Sequence, residues 1–131
     1  QGVMLMRIIE KKMNEAIRNR TDWSLSNTEV DYNEGSNRVC IYLHGNHIAN
    51  VWYEQDTVTL LYLTDAGWET RTTKSRLNAI LDEFAPGYRI FQHNHRWRIA
   101  YPEAKRENIS PFWVGHTNIQ VNSELKEVAN G

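Results

Sequence analysis

Between Arg38 and Leu63 the chain carries three runs of β-branched, aromatic and aliphatic residues, Arg38 to His44, His47 to Tyr53 and Thr57 to Leu63. Only Gly45-Asn46 and Glu54-Gln55-Asp56 separate them. Gaps this short leave no room for a crossover connection, so the three runs read as an antiparallel meander. Gly45-Asn46 suits a two-residue hairpin turn with Gly in the first turn position.

The flanking segments change period. Over residues 4–18, Leu5, Met6, Ile9, Met13, Ala16 and Ile17 share one helical face, with Arg7, Lys11, Lys12 and Glu15 among those opposite. Beyond the meander, Leu77, Ile80, Leu81 and Phe84 fall at i, i+3, i+4 and i+7, a core-facing stripe on a helix that starts at Thr72 or Thr73 and stops at Pro86-Gly87. Tyr88 to Gln92 and Arg96 to Tyr101 then read as a hairpin around His93-Asn94-His95. Pro102 and Pro111 bracket the polar loop EAKRENIS, FWVGHTNIQV supplies one or two closing strands, and SELKEVANG is a last helical turn or a frayed tail. The sum is an α+β fold: an antiparallel sheet of five or more strands, meander plus hairpin, with the N-terminal and central helices packed on it. At 131 residues the chain is one domain. Gln1-Gly2 reads as a tag remnant before a start at Met4 or Met6.

Hydrophobic residues make up 40% of the chain, with five Trp and six Tyr, enough apolar surface to offset ordering entropy. A single cysteine, Cys40, excludes an internal disulfide and suits a reducing compartment. The opening apolar run is interrupted at once by charge, so neither a signal peptide nor a membrane span is expected, and the expected location is cytoplasmic. Net charge is −1, but the average hides a split. Eight acids face one base between Asp22 and Glu69, whereas eight bases face three acids between Arg71 and Arg106. Asymmetry of this kind hints at a polyanionic partner.

The reversal falls at the start of the central helix. Arg71, Lys74 and Arg76 crowd its first turns while Asp82 and Glu83 sit at its end, against the helix dipole, at a cost of about 0.3 to 1 kcal/mol per base if nothing balances it. Either a bound anion supplies that balance, with Thr72 or Thr73 as N-cap, or acids of the same chain do, Asp65 and Glu69 among them. The hairpin offers a second candidate. With Asn94-His95 as its turn, Arg89, Phe91, His93, Arg96 and Arg98 share one face, and Ile90, Trp97, Ile99 and Tyr101 the other. Bases beside a ring on a sheet are what single-stranded nucleic acid contacts use. His44 with His47 and His93 with His95 form pairs without a third ligand at matching spacing, so no metal and no organic cofactor is expected. No catalytic motif occurs, the letters HNH at 93–95 included, and Cys40 lies mid-strand as an inert thiol.

The phrases YLHGNHIA, AGWETRTTKSRLNAIL and WRIAYP with the later FWVG resemble small uncharacterised proteins of tailed bacteriophages and marine environmental sequences. The resemblance covers roughly residues 27 to 115 and implies a phage origin without an activity, which would place the protein in the host cytoplasm. Two functions follow as expectations. One is a non-enzymatic accessory protein that binds nucleic acid or a phosphate-bearing ligand through residues 71–98. The other is an interaction or assembly protein that binds a host factor or itself through its Trp residues and acidic meander.

Overall fold

The computed structural model describes residues 2–102 and 110–121, with side chains from Arg7 onward. Residues 103–109 of the polar loop and the tail fall outside the described residues, as do the side chains of Leu5 and Met6. Helix α1 (Gly2–Asn19) leads into strands β1 (Trp23–Leu25), β2 (Thr28–Asn33), β3 (Arg38–Leu43), β4 (Asn46–Glu54) and β5 (Thr57–Thr64). Helix α2 (Arg71–Phe84), the hairpin β6 (Arg89–His93) and β7 (Arg96–Ala100), and β8 (His116–Gln120) complete the order.

The α+β architecture is as expected, with one difference in the sheet. Six strands form one antiparallel sheet in the order β1-β2-β3-β4-β5-β8, and the hairpin β6–β7 forms a separate two-stranded sheet. The β1–β2 hairpin lies in a stretch to which the sequence analysis assigns no strand. Its strands alternate, with Thr28 and Val30 buried and Glu29 and Asp31 exposed, but three acids or amides in six residues mask the period. The β3–β4 turn also moves by one residue. Its two corner residues are His44 and Gly45, at φ +51° and +78°, and Leu43 pairs with Asn46. Both corner residues are left-handed, as in a type I′ turn, which matches strand twist better than the expected Gly-first turn.

The core lies between the helices and one face of the large sheet. Val39, Ile41, Val51, Leu61 and Leu63 are fully buried from the sheet side, Met13 and Ile17 from α1, and Leu77, Ile80 and Leu81 from α2, with Phe84 packed at the margin. α1 packs on β1, β2 and α2, and α2 packs on β4 and β6. The opposite sheet face carries Glu29 and Asp31 and a row of rings, Tyr42, His47, Tyr62 and His116, whose neighbouring centroids lie 5.5, 6.1 and 6.3 Å apart. Gly87, three residues past α2, sits at φ +101°, a conformation that favours glycine, and an added Cβ would lie 3.0 Å from Pro102 Cγ, a tight contact as well.

Candidate functional site

The first turn of α2 is capped by Thr70, two residues ahead of the earliest expected position. Its hydroxyl oxygen accepts the Thr73 N–H at 3.1 Å and lies 2.9 Å from the Thr73 hydroxyl, while its carbonyl accepts the Lys74 N–H at 3.0 Å. Thr73 is buried as part of this cap, and Thr72 is half-buried beside it.

Arg76 does not reach solvent. At 1% exposure it donates through Nη1 to Glu10 (2.9 Å), through Nε to the Thr28 hydroxyl (2.9 Å) and through Nη2 to Asn27 Oδ1 (3.1 Å). Its charge is balanced by Glu10 of α1, an acid outside the meander, and it takes no part in an open cradle. Glu10 also accepts from Ser75. Lys74 is half-buried, with Nζ 5.9 Å from the Trp97 ring centroid, and Arg71 is exposed.

The hairpin has the expected register. His93 opposes Arg96 and Phe91 opposes Arg98, with Asn94 and His95 at φ +52° and +63° in the turn. Arg89, Phe91, His93, Arg96 and Arg98 therefore share one face, and Ile90, Trp97 and Ile99 are buried on the other. Asn78 of α2 fastens this sheet. Its side chain donates to the Ile90 carbonyl and accepts the Ile90 N–H, both at 2.8 Å, satisfying the free edge of β6.

A segment absent from the expected site completes the face. Residues 111–113 run beside β7, the Ile99 N–H donating to the Pro111 carbonyl (3.0 Å) and the Trp113 N–H to the Trp97 carbonyl (2.9 Å). Arg98 is tied to the same segment through a 2.6 Å bond from Nη1 to the Ser110 carbonyl. Phe112 is thereby placed under two guanidinium groups, with the Cζ atoms of Arg96 and Arg98 at 3.6 and 4.2 Å from its ring centroid. The apolar run Phe112-Trp113-Val114 was the sequence signal for a strand here, but nothing local says which strand it joins.

Two clefts lie between α2 and the hairpin. One, of about 360 Å³, brings Arg71, Lys74 and Arg89 together with Glu10 and Asp82. The second, of about 450 Å³, is lined by Tyr88, Phe91 and Ala100 and shares Arg89 and Asp82 with the first. Since Glu10 is already paired with Arg76, three bases face the single acid Asp82. At the Arg96 end stands Glu69, whose carboxyl is raised above the ordinary range by burial, by the charge of Asp65 and by its hydrogen bond with Asp65, with Arg96 pulling the other way.

The family model described as Kyanoviridae Gp96 protein matches residues 6–119, which include both α2 and the hairpin. The chain belongs to this phage family. No curated protein and no solved structure matches it. Kyanoviridae Gp96 membership agrees with the phage resemblance, and the family description names no activity. The segments LHGN and AGWETRTT are neighbours in space. Leu43, His44 and Asn46 of the first lie across a cleft of about 380 Å³ from Ala66, Trp68, Thr72 and Thr73 of the second. Among the described residues no three His, Cys, Asp or Glu side chains gather as a metal ion requires, and no helix is long and apolar enough to cross a membrane. His44 is exposed in its turn, whereas His47 Nε2 lies 2.7 Å from Asn50 Oδ1.

Proposed function

We propose that this chain is a small, non-enzymatic phage accessory protein that binds single-stranded nucleic acid in the host cytoplasm. The binding strip runs from Arg71 and Lys74 through Arg89 and Phe91 to Arg98 and Arg96. One observation carries the reading: Arg89 lines one cleft with Arg71 and Lys74 and shares its hairpin face with Arg96 and Arg98, so bases from the helix start and from the hairpin meet at one residue. Its cations match a phosphate backbone, and Phe91, Tyr88 and the guanidinium planes over Phe112 supply stacking surfaces for unpaired bases. Arg76 and Thr73, being buried, drop out of the candidate set, and Thr72 keeps only a marginal place at the helix start.

The test is oligonucleotide affinity against salt concentration. Each phosphate contact on a single strand contributes about 0.7 to the slope of log K on log salt, so Arg71→Ala, Arg89→Ala and Arg96→Ala together should flatten it by about 2. All three side chains are exposed, so the melting temperature should hardly move. Parent binding without a salt slope, or a triple variant that binds like the parent, would defeat the reading.

A second reading, a protein-interaction or assembly role, is favoured by Val114 at 74% and Trp68 at 61% exposure. Concentration-dependent self-association in sedimentation, abolished by Val114→Ser, would select it.

A further inference from the structure

The loop between β5 and α2 holds Trp68 out in solvent at 61% exposure, yet the loop itself is heavily braced. Ala66 and Gly67 take left-handed conformations, at φ +55° and +87°. The Thr64 hydroxyl accepts the Ala66 N–H (3.0 Å) and donates to the Gly115 carbonyl (3.0 Å). Asp65, 6% exposed, accepts the Gly67 N–H (2.7 Å) on one oxygen and the Trp113 indole N–H (2.9 Å) on the other, and the Trp68 N–H closes back on the Asp65 carbonyl (2.8 Å). Left-handed alanine is uncommon and slightly costly, and here a network anchored on Trp113 and Gly115, just ahead of β8, over-determines it.

That bracing places Trp68 at one wall of the 380 Å³ cleft whose other wall is the β3–β4 turn. The cleft falls in the size range of small-ligand sites, with apolar walls from Leu43, Ala66 and Trp68 and a few polar groups from Asn46, Thr70 and Thr72. Such a site suits a flat, unsaturated ring with donors and acceptors on its edge, stacked on the indole and read by an amide and hydroxyls. It also adjoins the start of the basic strip along the chain: Thr72 lines the cleft, and Arg71, which opens α2, is the residue before it. We infer that the Trp68 cleft receives one unpaired base of the strand whose phosphates follow Arg71 and Arg96. This inference rests on the nucleic-acid reading above.

Affinity should be measured for a short mixed-sequence single strand, as DNA and as RNA, and for a strand of equal length made wholly of abasic sites. Trp68→Ala should weaken binding of the normal strand about 5- to 150-fold, the range for loss of one stacked base, at an unchanged salt slope. Trp68→Phe should recover part of the loss, and the abasic strand should bind parent and Trp68→Ala alike. Because the ring is largely in solvent, the melting temperature of Trp68→Ala verifies that the fold is kept. If Trp68→Ala binds the normal strand as the parent does while the arginine variants still lose salt slope, the base site is overturned and the strip stands. Equal weakening on normal and abasic strands also overturns it. If no strand binds, both fall. If Trp68→Ala instead changes the sedimentation behaviour of the protein alone, the ring covers a protein interface and the inference fails.

Discussion

Arg76 and Arg96 come from the same basic half of the chain and end in opposite environments. Arg76 is fully buried, with an acid from α1, a hydroxyl from β2 and an amide from the β1–β2 turn around its guanidinium. Arg96 is exposed and lies over an aromatic ring that is itself 40% exposed. The first has its charge consumed by the fold, and the second keeps its charge available. An excess of bases in a segment therefore says little about a binding surface until each base has been assigned an inward or an outward position.

The contrast can be broken most directly at Arg76. Arg76→Ala leaves Glu10 in a mostly buried site without its partner and should cost about 3 to 5 kcal/mol in urea unfolding. Pairing Glu10→Gln with Arg76→Met should recover much of that. A loss no larger than that of an exposed arginine would mean that the buried pair does not hold α1 to α2. Next in size is Asn78→Ala, which orphans the buried N–H and carbonyl of Ile90 and should cost about 1 to 3 kcal/mol, with faster amide exchange in β6 than in β3 or β4. Uniform exchange across both sheets would show that the hairpin does not depend on this clamp.

Thr70→Ala tests whether the helix start is already satisfied from within. The cap should be worth about 0.5 to 2 kcal/mol, whereas Thr72→Ala should do little. The smallest effect is expected at Glu69. Its folded carboxyl is raised, so the protonated form is favoured in the fold, and its contribution is present below the unfolded value and lost as pH rises through the folded one. Glu69→Gln should therefore melt slightly higher than the parent at neutral pH, and the two should converge in acid, below the usual Glu value of about 4.3. The side chain is mostly exposed, so the shift should be small, and a variant that melts lower at neutral pH would reverse the sign of the argument.

Much of this was legible residue by residue. The hairpin register followed from two left-handed turn positions and strict alternation, both local properties. The position of Arg76 was legible too, since Thr73, Arg76, Leu77, Ile80 and Leu81 lie on one helical stripe and all five are buried. There the helical spacing, and not the charge, tells which way the side chain points. The β1–β2 hairpin was obscured because its solvent face is acidic, and the α2 cap was misplaced because Thr70, Thr72 and Thr73 are chemically equivalent until the chain path selects one.

By itself, the sequence determined the two helices, the meander, the hairpin face and the reversal of charge, because each depends on neighbours within a turn or a strand. Only the tertiary structure decided that Glu10 neutralises Arg76 across 66 positions, that Phe112 slides under Arg96 and Arg98, and that Arg89 joins the helix start to the hairpin. Those pairings join segments that the local pattern treats as independent, and their energies exist only once the core has brought the segments together.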